Sequence, residues 1–233
     1  MYLSRVSLAL ACPLVRRDMS DCHAMHRTIM SAFPQAPPHQ DARAVFAVLY
    51  RLETFRGAEL LVQSLLEPEW RHLDPSYFES GGAQGQNPVS KRIDEQYSSL
   101  REDLALTFRL RANPTRKIGT VSGPNGEHRN GRRVPLFGEA VQLDWLERKA
   151  MLGGFSLARV EVGSPVPDIR DIQDPRVTGR KGARGQGSRL TFNPVTFEGR
   201  LQITDAGLFR ETLHRGIGPG KAYGFGLLSI APA

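Results

Sequence analysis

Two histidines three residues apart, His23 and His26, and one lysine among five glycines, Lys221, are the side chains of this 233-residue chain best placed by type and spacing to do chemistry. Residues three apart on a helix share a face, so a helix through 22–33 would present both imidazoles to the same neighbour. Imidazole exchanges protons near neutral pH, and two of them can divide general-acid and general-base work. The structural alternative is that His26 only borders a core while His23 is solvated. No third metal ligand accompanies the pair, and a metal site is not expected. Nor is a cofactor.

Lys221 lies in the run Arg215-Gly-Ile-Gly-Pro-Gly-Lys-Ala-Tyr-Gly-Phe-Gly-Leu-Leu-Ser229. Glycines let backbone N–H groups approach a phosphate closely, and here Gly218 and Gly220 stand beside a cation. A nucleotide-binding P-loop would need glycine where Arg215 stands and a hydroxyl where Ala222 stands, with a strand before it and a helix after. The order here is reversed: a helix capped by Asp205 leads in and a strand leads out. A sugar–phosphate backbone suits this loop better than a nucleoside triphosphate, with Lys221 stabilising charge on a phosphate. An ordinary solvated loop lysine is the alternative.

Charge points the same way. Lys and Arg number 31 against 24 Asp and Glu, a net charge of +7 that favours a polyanionic partner. The excess is concentrated in two glycine-rich segments. Residues 115–133 hold Arg116, Lys117, Arg129, Arg132 and Arg133 against a single acid, and residues 176–189 hold Arg180, Lys181 and Arg184 among their basic residues with no acid. Arginine-rich loops that order on binding suit an RNA stem, whose deep major groove is met through shape and phosphate contacts. The aromatic signature of an RNA-recognition motif is absent. Arg27 on the histidine helix, and Arg109 and Arg111 on one strand face, are further candidate phosphate contacts; a solvated or acid-balanced face is the alternative for each. Two cysteines, Cys12 and Cys22, make no disulfide framework and read as reduced thiols of a cytoplasmic protein. No run is long enough for a transmembrane helix, and the short apolar stretch before Cys12 is not a signal peptide.

The elements that must position these groups follow from periodicity. Tyr2, Val6, Leu8 and Leu10 share one side of a period-two strand that Pro13 ends. Asp21 caps a helix over 22–33, with Cys22, Met25, Ile29, Ala32 and Phe33 as its apolar stripe and His26 at the stripe's edge. Strands are expected over 44–53, 59–66 and 104–112, with a weak helical stretch over 67–78. The second half reads as a helix over 138–152, strands over 155–162 and 190–204, and the helix from Asp205 to Arg215. The chain is therefore α+β, two tandem ferredoxin-like βαββαβ units over 1–114 and 115–233.

Four stretches resemble one family. Gly216-Ile-Gly-Pro-Gly-Lys221 with Gly224-Phe-Gly-Leu-Leu-Ser229 is similar to the glycine-rich signature of RAMP-superfamily CRISPR proteins. Met1-Tyr-Leu-Ser-Arg-Val6, Met25-His-Arg27 and Phe108-Arg-Leu-Arg-Ala-Asn-Pro114 narrow the resemblance to the endoribonuclease of the type I-E (Cascade) system. That resemblance implies cleavage of CRISPR precursor RNA at the base of the repeat hairpin. It also implies retention of the crRNA in a complex with other Cascade subunits, and places His26 in the catalytic segment. The position three residues earlier is commonly a tyrosine in the family, whereas here it is His23. RNA brings its own nucleophile, the 2′-hydroxyl beside each phosphate, and attack by it leaves a 2′,3′-cyclic phosphate and a 5′-hydroxyl without need of a metal. A non-catalytic RAMP subunit that caps or scaffolds guide RNA is the competing reading; the glycine loop and basic segments serve both, and His26 separates them.

Overall fold

Strand β1, Tyr2–Leu8, turns Ser4, Val6 and Leu8 inward and Arg5 outward, as its period-two pattern requires. The computed structural model describes residues 1–55, 57–80, 86–118, 133–162, 164–182 and 187–233. After β1 come helices α1, Pro13–Ser20, α2, Cys22–Met30, and α3, Ala42–Val45. Strands β2, Leu49–Glu53, β3, Ala58–Ser64, and β4, Val89–Arg92, follow, and then α4, Asp94–Ser98. The first sheet has the order β2-β3-β1-β4, every pair antiparallel.

Local differences from the sequence pattern arise at four places. Pro13 does not merely end β1: it occupies the first turn of α1, where its missing N–H is no loss. The stretch 44–53 is not one strand. Asp41 caps α3 by accepting from the Arg43 amide at 3.1 Å, and the strand starts only at Leu49. Strand β4 carries Ser90, Lys91 and Arg92 at the sheet edge, where charge blunts an exposed ladder and conceals the apolar alternation. The stretch 67–78 contains only a one-turn 3-10 helix, Pro75–Tyr77.

Strand β5, Ala105–Ala112, buries Leu106, Phe108, Leu110 and Ala112 on one face. It does not close the first sheet but lies inside the second. Then follow β6, Thr115–Lys117, β7, Arg133–Pro135, α5, Glu139–Leu152, β8, Phe155–Leu157, β9, Arg159–Val162, and β10, Ser164–Pro167. The last elements are β11, Ile169–Gln173, β12, Val177–Lys181, β13, Ser188–Phe192, β14, Val195–Ile203, α6, Ala206–Arg215, and β15, Leu228–Pro232. The second sheet runs β11-β14-β5-β15 with β8 also on β14, all antiparallel. The two basic segments form two-stranded ribbons, β6–β7 and β12–β13. Arg129, Arg132 and Arg184 lie outside the described residues.

Each sheet has its own apolar cluster. Val6, Leu8, Met25, Ile29, Tyr50 and Val62 fill the first, holding α1 and α2 against the sheet. Phe108, Trp145, Leu146, Phe197, Phe209 and Leu213 fill the second, where Phe155 meets Phe209 edge-on at 5.6 Å. Phe209 and Leu213, four apart on α6, are both fully buried. Polar ties join the two sheets. Gln63 of β3 accepts from Tyr97 Oη at 2.6 Å and donates to the Leu213 carbonyl at 2.7 Å. No helix among the described residues is long and apolar enough to cross a membrane.

Candidate active site

The site begins at Asp21. Its Oδ1 accepts from the amides of His23 at 2.8 Å and Ala24 at 3.1 Å, satisfying donors that the start of α2 would otherwise leave open. Its Oδ2 accepts from the Arg180 amide at 3.3 Å, so the β12–β13 ribbon docks on the same helix end. Gly179 of β12 makes that approach possible: a Cβ there would sit 2.7 Å from Cys22 Sγ and 2.8 Å from Asp21 Oδ1. Met25 and Ile29 anchor the helix from below, and Thr28 Oγ1 donates to the buried Asp18 of α1 at 2.6 Å. His23 and His26 are left half-buried on the free edge.

The glycine loop supplies the opposite wall. It folds into a one-turn 3-10 helix, Lys221–Tyr223, bracketed by Gly220 and Gly224, both left-handed at φ +83 and +86. Side chains would be strained at either position, and a Cβ on Gly220 would meet the Phe225 ring at 2.7 Å. Tyr50 of β2 pins the turn by donating from Oη to the Ala222 carbonyl at 3.2 Å. Held this way, Tyr223 faces both histidines. Ring centroids are 6.2 Å apart for His23 and His26, 6.3 Å for His23 and Tyr223, and 6.0 Å for His26 and Tyr223.

Burial first, then the neighbouring His23, with Arg43 and Lys181 adding to them, pushes His26 down to about 4 against the opposing pull of Asp41. His26 is thus a neutral imidazole at physiological pH, able to accept a proton. The Nδ1 atom of His23 is buried without a hydrogen-bond partner among the described residues. Tyr223 is raised above the ordinary phenol value by partial burial and then by Cys22, so it keeps its proton.

Lys221 points to the other side of the turn. It lines a cleft of about 330 Å³ with Thr115, Arg133, Trp145, Lys149 and Gly218. Burial, then Arg43, Lys149 and Arg215, lowers its pKa. Among the described residues, the cleft wall carries Arg133, Lys149 and Lys221 and no acid. Gly218 sits over the Trp145 ring, which a Cβ would approach to 2.9 Å. A larger cleft of about 700 Å³ opens on the Tyr223 side, where Asp18, Glu53 and Asp174 balance Arg109, Arg111 and Arg176.

The other sequence candidates divide. Arg27, Arg116, Lys117, Arg133, Arg180 and Lys181 are exposed around the two ribbons and α2. Arg109 pairs with Glu53 at 3.1 Å and Glu198 at 3.2 Å, and Arg111 pairs with Asp174 at 2.8 Å while lying over Phe225. Their charges are committed within the fold, as on an acid-balanced face. Two residues placed at the site have no place in the sequence reading: Arg43, whose charge reaches both His26 and Lys221, and Tyr223. An aromatic residue between Gly220 and Gly224 is a signal for the second; Arg43 has none, because the end of α3 reads as the start of the strand expected over 44–53. Among the described residues, no group of three or more His, Cys, Asp or Glu is placed to hold a metal ion.

Comparison with known proteins finds a full-length match. Residues 1–232 fit the family model described as CRISPR associated protein. The chain is 36% identical over 237 residues to the CRISPR-associated endoribonuclease Cse3 of Thermus thermophilus, covering 100% of both. It is 32% identical over 235 residues to the CRISPR system Cascade subunit CasE of Escherichia coli K12, again covering 100% of both. A solved structure of CRISPR endoribonuclease Cse3 bound to a 19 nt RNA has a TM-score of 0.75 at 35% identity, over 99% of each chain.

Proposed function

Because the chain belongs to the CRISPR-associated protein family, among its type I-E Cascade endoribonucleases, we propose that it cuts CRISPR precursor RNA at the base of the repeat hairpin and keeps the crRNA for a Cascade-type complex in the cytoplasm. The observation that carries this is the meeting of a neutral His26 with His23 and Tyr223, across the glycine turn from a cleft whose described charged residues are Arg133, Lys149 and Lys221. The substrate 2′-hydroxyl is the nucleophile. His26 takes its proton, while Lys221 and the glycine-loop amides hold a neighbouring phosphate of the same strand on the cationic side of the turn. The O2′–P bond forms as the P–O5′ bond breaks, giving a 2′,3′-cyclic phosphate and a 5′-hydroxyl.

The scaffold for this reading is two ferredoxin-like units. The first sheet's order, β2-β3-β1-β4, and the second's, with β14 and β5 between β8 or β11 and β15, both follow the fourth-first-third-second ferredoxin arrangement. On this reading the second unit starts with β5 rather than after residue 114. The first lacks a full helix between β3 and β4 among the described residues.

A labelled repeat hairpin mixed with the purified protein in EDTA is expected to be cut once. The same hairpin with one 2′-deoxy nucleotide just 5′ of the cut should bind equally and stay intact. Cleavage of the deoxy hairpin, or an absolute need for added metal, would end the proposed mechanism.

Binding is expected to be strongly electrostatic. Neutralising about six phosphates gives a log–log salt slope on the order of −4 with the single-strand coefficient, steeper if the stem is gripped. Replacing Arg180 and Lys181 together by alanine should flatten it by about 1.4. An unchanged slope in filter binding would remove the β12–β13 ribbon from the interface.

A further inference from the structure

We propose that Tyr223 is the proton donor to the leaving 5′-oxygen, a catalytic role for the glycine loop distinct from holding phosphate. The assignment rests on the endoribonuclease reading above. It starts from the near-equilateral triangle of rings formed by His23, His26 and Tyr223, with sides of 6.0 to 6.3 Å. A phosphodiester seated over that triangle would lie against all three rings at once.

Three of the five tyrosine hydroxyls tie the fold together. Those of Tyr50, Tyr77 and Tyr97 donate to the Ala222 carbonyl, to Asp18 Oδ2 and to Gln63 Oε1 at 3.2, 2.9 and 2.6 Å. Each ties elements together. The Tyr223 hydroxyl has no hydrogen-bond partner among the described residues, although its ring is held firmly. The Phe192 ring packs on it at 5.2 Å, the His26 ring meets it edge-on, and the turn beneath it is pinned by Tyr50. A rigid phenol with a free hydroxyl beside two imidazoles is built to meet something that is not protein.

The chemistry supplies the role. His26 is neutral and is the acceptor, so a different group must carry the second proton. Lys221 lies across the turn among other cations. A phenol is a weak acid, but a departing ribose alkoxide is a far stronger base than a phenolate, and the transfer runs downhill. The 2′-hydroxyl proton goes to His26, the electron pair of the P–O5′ bond goes to O5′, and the phenol proton follows it. The imidazolium of His26 and the phenolate of Tyr223 are left side by side, and proton return between them restores the starting state.

The test compares Tyr223→Phe with the unaltered protein in single-turnover cleavage of two hairpins in EDTA. One carries the natural O5′; the other carries sulfur at that bridging position, a leaving group that needs no proton. Phenylalanine keeps the packing on Phe192 and loses only the hydroxyl. On the natural hairpin, Tyr223→Phe should be slower by about 10²-fold or more with affinity unchanged within a few-fold. On the sulfur hairpin it should match the unaltered protein within a few-fold. Equal slowing on both hairpins makes Tyr223 a positioning residue and overturns the assignment, as does a wild-type rate on the natural hairpin. Selective rescue of His23→Gln by sulfur would give the role to His23 instead. If the unaltered protein cuts neither hairpin, the endoribonuclease reading itself fails and takes this assignment with it.

Discussion

His26→Ala is expected to slow hairpin cleavage by about 10²- to 10⁴-fold, the usual loss for one general acid or base, while binding stays within a few-fold. The ring sits at the edge of the buried face of α2, where Met25 and Ile29 fix the backbone beneath it, so truncation removes the proton acceptor without opening the core. His23→Ala should cost less, since its ring is a neighbour to the transfer rather than its acceptor. The pH dependence follows from the shift. In the free protein His26 is neutral above about 4, so kcat/KM should fall on the acid side only as pH drops through that region. A bound phosphate favours the imidazolium, so the acid limb of kcat should lie higher, toward neutrality. His26→Ala should lack the limb in both. The same shift bears on folding: the unfolded chain takes up the proton near 6.5 and the folded chain only near 4. The folded state binds fewer protons in that window, so stability present at neutral pH is lost as pH falls through it. Full cleavage by His26→Ala would remove His26 from the mechanism.

Much of the site's frame is visible in the chain because it is local. Asp21 as cap, the stripe through Met25 and Ile29, and the Asp205 cap of α6 depend on residues within a turn of one another, and the structure places them there. The strand over 104–112 is equally plain from its alternation, but its partners are not. β5 follows β4 in sequence, yet pairs with β14 and β15 about ninety and one hundred and twenty residues on, and no local pattern encodes that choice. The glycine loop shows the same division. Its glycines announce close approach, but what approaches is the Phe225 ring, the Trp145 ring and Tyr50, all at least in part from within the protein. A phosphate is left the cationic wall beyond Lys221. Tyr223 escapes attention for a related reason: one aromatic residue among glycines has no periodicity, and its meaning appears only once α2 lies across from it.

Arg51→Met is expected to lower stability by about 3 kcal/mol, the low end of the loss when one partner of a buried ion pair is removed. Arg51 lies on β2 and is only 3% exposed. Its Nε donates to Glu53, and its Nη1 donates to the carbonyls of Arg109 on β5 and Leu227 before β15, each at 3.2 Å. Burial, more than any neighbouring charge, lowers its pKa, but Glu53 opposes that and the guanidinium stays charged. Methionine fills much of the same channel and abandons all three acceptors. Glu53 keeps Arg109 at 3.1 Å, which holds the loss at the low end. For a chain of this size each kcal/mol moves the midpoint by about 2–4 °C, so Tm should fall on the order of 6–12 °C. Pairing the change with Glu53→Gln should recover part of it, because the carboxylate that has lost one of its two guanidinium partners is then neutral. The effect should also reach the chemistry. β2 carries Tyr50, whose hydroxyl pins Ala222 and with it the turn that presents Tyr223 to the histidines. Loosening β2 against the second sheet should therefore slow cleavage at temperatures well below the midpoint, while the ribbons still hold RNA. Thermal unfolding by circular dichroism decides the first part. A midpoint within about 2 °C of the unaltered protein would mean that Arg51 does not join the two sheets energetically.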